Sequence, residues 1–171
     1  MKTTLLVMVA AGLVMGCAAA GSKIDHAGPE TAGRGETEME TILSSRTLSV
    51  TIRCDPGKVY EFVTNPENLP KWAQGLGGSV RKQGPDWMVD TPQGPMKIRF
   101  ADRNSFGVMD HYVTTPSGDE VHVPMRILAN GSGSEVIFTL FRLPDMSDEK
   151  YAEDMWLVER DLRALKDLLE K

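Results

Sequence analysis

The sequence predicts an α+β domain: a curved antiparallel sheet of about seven strands wrapped on one long C-terminal helix, with two short helices after the first strand. Three observations carry this expectation. Apolar and polar residues alternate in strand-like runs from Arg46 onward. Tyr151, Met155, Val158, Leu162, Leu165 and Leu169 repeat at helical spacing near the end of the chain. An amphipathic sheet and a single amphipathic helix bury their apolar faces by packing on each other.

Before the domain, Lys2 is followed by an apolar run from Leu5 to Val14 that closes in Leu13-Val14-Met15-Gly16-Cys17. A basic start, a short apolar core and small terminal residues describe a secretory signal. The run is shorter than the roughly 20 apolar residues that span a bilayer. With Cys17 directly after Gly16, the segment resembles a bacterial lipoprotein signal. That resemblance implies cleavage after residues 1–16, acyl chains such as palmitate on the new terminus, and a membrane-anchored place in the cell envelope, on the extracytoplasmic side. The second cysteine, Cys54, then lacks a partner within the chain; a Cys17–Cys54 disulfide would require a signal of another type. Residues 17–40 carry Gly21, Gly28, Gly33, Gly35, Ser22 and Pro29 with almost no large apolar side chain, the composition of a flexible tether. The folded domain is expected over residues 41–171.

Formal net charge is −5, and no segment is dense in Lys or Arg. This argues against a nucleic-acid partner. It also leaves no basic patch to assist membrane binding, so lipid would have to hold the chain alone.

Within the domain, Leu48, Val50 and Ile52 alternate with Thr47, Ser49, Thr51 and Arg53 in a half-buried strand. Asp55-Pro56 is a helix start, Asp capping and Pro at the first position. Val59, Phe62 and Val63 form the stripe of that helix. Asn65-Pro66 repeats the signal for a second short helix through Leu69 and Trp72, stopped by Gly75, Gly77 and Gly78. The Pro92–Pro95 turn then pairs Trp87 with Phe100, Val89 with Ile98, and Asp90 with Lys97 as a cross-strand ion pair. The Pro116–Asp119 turn pairs Tyr112 with Val123 and Asp110 with Met125. A turn around Asn130-Gly131 pairs Ile127 with Val136 and Met125 with Phe138. Chained together, these hairpins put Asp110 and Tyr112 on the inner face, and His111 and His122 together on the outer one. A bulge at Pro124 would exchange Asp110 for His111. Ser147 caps the last helix, Asp148 and Glu149 suit its dipole, and Met146 with Tyr151 is spaced as a hydrophobic staple. Trp156 and Leu168 widen its apolar stripe.

The stretch Val50-Thr51-Ile52-Arg53-Cys54-Asp55-Pro56-Gly57-Lys58-Val59-Tyr60-Glu61-Phe62-Val63, with Asn65-Pro66-Glu67-Asn68-Leu69-Pro70-Lys71-Trp72 after it, resembles the START-like, Bet v 1-like (SRPBCC, polyketide cyclase/dehydrase and lipid-transport) superfamily. The layout of Ser134–Arg142 followed by the helix from Ser147 resembles it as well. The resemblance implies a helix-grip fold with a cavity between sheet and helix, and transfers no catalytic residue.

Candidate cavity-lining residues are Trp72, Trp87, Phe100, Asp110, Tyr112, Met125, Phe138 and Met155. Soft Met and aromatic linings suit loosely defined apolar ligands. Asp110, a carboxylate on an apolar face, would orient a polar ligand group, serve as an acid or base with Tyr112, or bond to backbone near a bulge. No phosphate loop, nucleophile elbow or metal-protease signature is present, and neither a metal nor a cofactor is expected. The reading is an envelope lipoprotein that binds a small hydrophobic or amphipathic ligand. Two alternatives stand beside it: a cyclase, dehydratase or hydrolase using Asp110 or His111, and an envelope interaction protein with a filled interior.

Overall fold

The computed structural model describes residues 42–74, 78–91, 94–144 and 146–171. The signal segment, Cys17 with its tether, the Gly75-Leu76-Gly77 helix stop and the Pro92-Gln93 turn lie outside the described residues.

Strand β1 (Ser45–Ile52) leads into helix α1 (Pro56–Val63), a 3-10 turn (Pro66–Asn68) and the single-turn helix α2 (Leu69–Trp72). Asp55 accepts the Lys58 N–H and Asn65 accepts the Glu67 N–H, so both predicted starts are capped by the expected side chains. Seven strands follow: β2 (Val80–Gln83), β3 (Asp86–Thr91), β4 (Gly94–Phe100), β5 (His111–Thr114), β6 (Glu120–Val123), β7 (Met125–Asn130) and β8 (Gly133–Phe141). The chain closes with α3 (Asp148–Leu169), capped by Ser147 through the Lys150 N–H.

Described strands number eight rather than about seven, because Pro124 parts one predicted strand into β6 and β7. Proline has no N–H to give to the ladder. All pairings are antiparallel, in the orders β1-β8-β7 and β2-β3-β4-β5-β6. The two sheets join at the proline. Met109 N–H donates to the Met125 carbonyl at 2.9 Å, Ile127 N–H to the Gly107 carbonyl at 2.9 Å, and Thr139 N–H to the Pro124 carbonyl at 3.0 Å.

Of the three expected hairpin registers, one forms unchanged and two are displaced. β7–β8 pairs Ile127 with Val136 and Met125 with Phe138, as expected. β3–β4 is displaced by two residues: Trp87 faces Ile98 and Val89 faces Met96. An even displacement preserves the faces, so Val89, Met96 and Ile98 are all buried as intended. It does abolish the expected Asp90–Lys97 pair. Asp90 instead takes Arg81 at 3.0 Å and the Ser79 hydroxyl at 2.6 Å, while Lys97 sits 3.7 Å from Asp86. β5–β6 is displaced by one: His111 faces Val123 and Tyr112 faces His122. The cause is a three-residue loop, Pro116-Ser117-Gly118, closed by Thr115 N–H to the Asp119 carbonyl at 2.9 Å. Gly118 sits at φ +97°, a conformation that glycine adopts without strain. An odd displacement reverses every side chain of β5.

The core lies between the sheet and α3. Val158, Leu162 and Leu165 of the helix are at most 3% exposed, and form one cluster with Ile52, Val89, Met96, Ile98, Met125 and Val136 from the strands and α1 residues Val59 and Val63. Met146 and Tyr151, the expected staple, are both buried. Trp156 is not part of the stripe. It is 58% exposed, with the Arg160 guanidinium 5.5 Å from its ring centre. The last turn of α3 is held to the end of β1, where Lys166 Nζ donates to the Thr51 carbonyl at 2.6 Å and Glu170 accepts the Arg53 N–H at 2.7 Å. Among the described residues, no helix is long and apolar enough to cross a membrane.

Candidate functional site: a sheet–helix cavity

A cavity of about 80 Å³ lies between the inner face of β4, β5, β6 and β8 and helices α2 and α3. Its wall is apolar almost throughout: Phe100 from β4, Val113 from β5, Val121 and Val123 from β6, Phe138 and Leu140 from β8, and Val158 and Leu162 from α3. Leu69, Trp72 and Ala73 close one end. Alternation along each strand and the one-turn spacing of Val158 and Leu162 on α3 bring these side chains to one space.

Three polar side chains reach this wall: Trp72, His111 and Asp161. The Asp161 carboxylate is held by Arg160, at 3.1 Å from Nε and 2.8 Å from Nη2. Trp72 is 6% exposed, and its indole Nε1 is shut off from solvent, with no hydrogen-bond partner among the described residues. His111 stands opposite Phe100, ring centres 5.5 Å apart and tilted by 38°. Its Nδ1 lies 3.2 Å from the Met109 carbonyl. Burial pushes the imidazole down to about pKa 4, against the Met109 bond and the Asp110 charge, which raise it. The ring is therefore neutral at pH 7. A carbonyl only accepts, so the proton is assigned to Nδ1 and Nε2 carries a bare lone pair.

A break in the ladder next to Pro124 accompanies this placement. Met109 and Met125 lie opposite each other, yet only one hydrogen bond joins them, from Met109 N–H. The two groups left over are taken by neighbouring side chains: Asp110 Oδ1 accepts the Met125 N–H at 2.9 Å, and His111 faces the Met109 carbonyl. Asp110 thus serves the backbone. Its carboxylate also binds Arg126 and lies 3.8 Å from His122 Nε2. Desolvation raises its pKa, but the Arg126 and Met125 bonds outweigh that and hold it below the ordinary value.

Of the eight predicted lining residues, Trp72, Phe100 and Phe138 border the cavity. Asp110 and Tyr112 do not, and their expected inward orientation is corrected by the reversal of β5. Tyr112 stacks on His122, ring centres 4.7 Å apart, beneath the Arg99 guanidinium. Met125 is wholly buried in the core, Trp87 is half-buried on β3, and Met155 is half-buried on α3. The expected pairing of His111 with His122 on one face is likewise overturned, since they lie on opposite faces of the sheet. Among the described residues, no group of three or more His, Cys, Asp or Glu side chains is placed to hold a metal ion. Sequence reasoning missed Asp161. Its signal was the spacing Tyr151, Asp154, Val158, Asp161, Leu165, which runs up the buried face of α3 through two carboxylates.

A wider depression of about 500 Å³ opens beside α1, bordered by Tyr60, Phe106 and Leu128. It is a surface groove. Phe106 there is 80% exposed, on a loop fixed by Asn104, whose Oδ1 accepts the N–H groups of Phe106 and Val108.

No family model and no curated protein matches the chain. Solved structures do. The protein XoxI from Bacillus cereus superimposes with a TM-score of 0.59 at 17% identity, over 74% of this chain and 95% of that one. A START superfamily protein from Mycobacterium smegmatis gives 0.56 at 11% identity, over 74% and 97%. Ara h 8.0201 gives 0.53 at 12% identity, over 74% and 97%. The fold is the START/Bet v 1 helix grip. At these identities the likeness establishes architecture alone, and the helix grip accounts for the position of the cavity between sheet and long helix.

Proposed function

We propose that this helix-grip domain is a binding module that holds a small hydrophobic or amphipathic molecule between sheet and α3, and that lipid on Cys17 tethers it to a membrane of the cell envelope. The observation that carries the binding reading is the apolar cavity with only three polar side chains at its wall. Sites for small molecules have this character: apolar walls with a few placed polar groups. They typically enclose about 300–1,000 Å³, against about 80 Å³ here. A slim chain or a single ring is the size class that asks least of the wall. The anchor rests on Lys2, the apolar run and Gly16-Cys17. A tether of residues 17–40 has an r.m.s. reach of about 25 Å, which keeps the cavity near membrane-derived molecules.

Native mass spectrometry and lipid extraction of the purified protein, with a fluorescent fatty-acid titration, test the binding reading. A retained or titratable ligand supports it. Absence of any ligand in all three overturns it in favour of the interaction protein with a filled interior, the reading that the small volume favours. Cys17→Ser is expected to move the protein from the membrane to the soluble fraction; retention on the membrane refutes the anchor. An enzymatic reading has one observation in its favour, the bare His111 Nε2 as a general base at the cavity wall. It predicts turnover of a bound ligand, and loss of that turnover in His111→Phe with binding retained.

A further inference from the structure

Two of the side chains that border the cavity, Trp72 and His111, have complementary needs. Trp72 Nε1–H is a donor with nothing to donate to among the described residues, sealed from solvent in a side chain 6% exposed. Unmet buried donors are uncommon and unfavourable. His111 offers the opposite. Its Nδ1 is committed to the Met109 carbonyl, and among the described residues no hydrogen bond reaches its Nε2, which is an acceptor in the neutral ring. The third polar side chain, Asp161, already has Arg160 on its carboxylate. The remainder of the wall is hydrocarbon and aromatic ring.

We infer that the cavity selects an apolar molecule carrying one hydroxyl group, whose O–H donates to His111 Nε2 and whose oxygen accepts from Trp72 Nε1–H. A hydroxyl is the smallest group with both capacities. A carboxylate would bring a charge into an apolar space whose neutral histidine cannot pair with it. A plain hydrocarbon would leave both polar atoms unmet. A ligand with a six-membered ring exceeds the 80 Å³ present, so it must displace wall side chains. That displacement is also what gives the sealed indole N–H access to a partner. The inference rests on the binding reading above and names the chemistry of that same site.

Phenol and toluene differ by a hydroxyl against a methyl group at nearly equal size, and form the test pair. Both are titrated into the full chain by calorimetry, and into 15N-labelled chain with the Trp72 indole resonance as reporter. The expected result is at least a tenfold preference for phenol, a ratio that two satisfied hydrogen bonds of ordinary strength together confer. The Trp72 indole N–H should shift downfield with phenol and stay in place with toluene. His111→Phe, which keeps a ring against Phe100, should reduce the preference below threefold, and Trp72→Phe should do the same. Equal affinity for the two probes, or an indole resonance indifferent to phenol, overturns the hydroxyl inference and leaves the binding reading standing. If neither probe binds, the hydroxyl inference falls, and native mass spectrometry with lipid extraction decides the binding reading by itself. Should a variant fail to fold, the wild-type indole shift and the phenol-to-toluene ratio still decide.

Discussion

Acidification should loosen this fold through His111 in a predictable window. The folded imidazole is held down to about pKa 4 from an ordinary value of 6.5, because burial at the cavity wall penalises the cation. The unfolded chain therefore binds a proton that the folded one refuses between those values. Stability from the neutral ring is complete above pH 6.5, declines as pH falls through the window, and flattens below about 4. At 1.36 kcal/mol per pKa unit, the full loss is about 3 kcal/mol. A loss of that size is a large fraction of the total stability of a single domain, about 5–15 kcal/mol. The assay is urea unfolding of wild type and His111→Phe at intervals from pH 7.5 to 4. The variant lacks the titration, so the difference between the two curves should grow against wild type by about 3 kcal/mol on going down. Asp110 and His122, the neighbours that act on the ring electrostatically, are present in both proteins and cancel to first order. Parallel curves, or a His111 Cε1–H resonance that titrates near 6.5, would refute the burial argument.

Three further outcomes are expected. Gly107→Ala should cost about 2–4 kcal/mol in chemical denaturation, because Gly107 sits at φ +69° and a Cβ there would lie 2.0 Å from the Ile127 carbonyl oxygen; a loss under 1 kcal/mol would show that the seam between the sheets yields. Lys150→Met should cost about 3–5 kcal/mol by stranding the Asp154 carboxylate, which is 2% exposed, raised in pKa by desolvation, and bound to Lys150. Adding Asp154→Leu to that variant should restore most of the loss, and failure to do so would mean that the lysine stem, not its charge, matters. Asp110→Ala should cost about 1–3 kcal/mol by freeing the Met125 N–H and Arg126, while changing phenol affinity less than twofold; a tenfold loss of affinity would return Asp110 to the site.

Much of the architecture was legible because its signals are local. Asp55-Pro56, Asn65-Pro66 and Ser147 act within one turn of themselves, so each cap forms as read. The apolar stripe on α3 needs only helical period, and four of its residues are buried. The site was less legible, because it depends on parity across strands. A displacement of two in β3–β4 cost one ion pair and no face, whereas a displacement of one in β5–β6 exchanged Asp110 for His111 at the cavity wall. The difference is one residue in the Pro116–Gly118 loop. Asp161 was passed over for another reason. A carboxylate on an apolar stripe looks like an interruption until its arginine partner is seen beside it.

By itself, then, the sequence determined the order of elements, their caps, and the pairing of a long amphipathic helix with an amphipathic sheet, since these follow from backbone periodicity and from the need to bury apolar surface. Tertiary structure decided which face of β5 turns inward, how the Met109–Met125 pair hands two backbone groups to the side chains of Asp110 and His111, and how little room is left beneath α3. Those are matters of register and volume. Both are set by where neighbouring strands and helices come to rest, so a one-residue difference in a loop can rewrite the chemistry of a cavity without altering the fold.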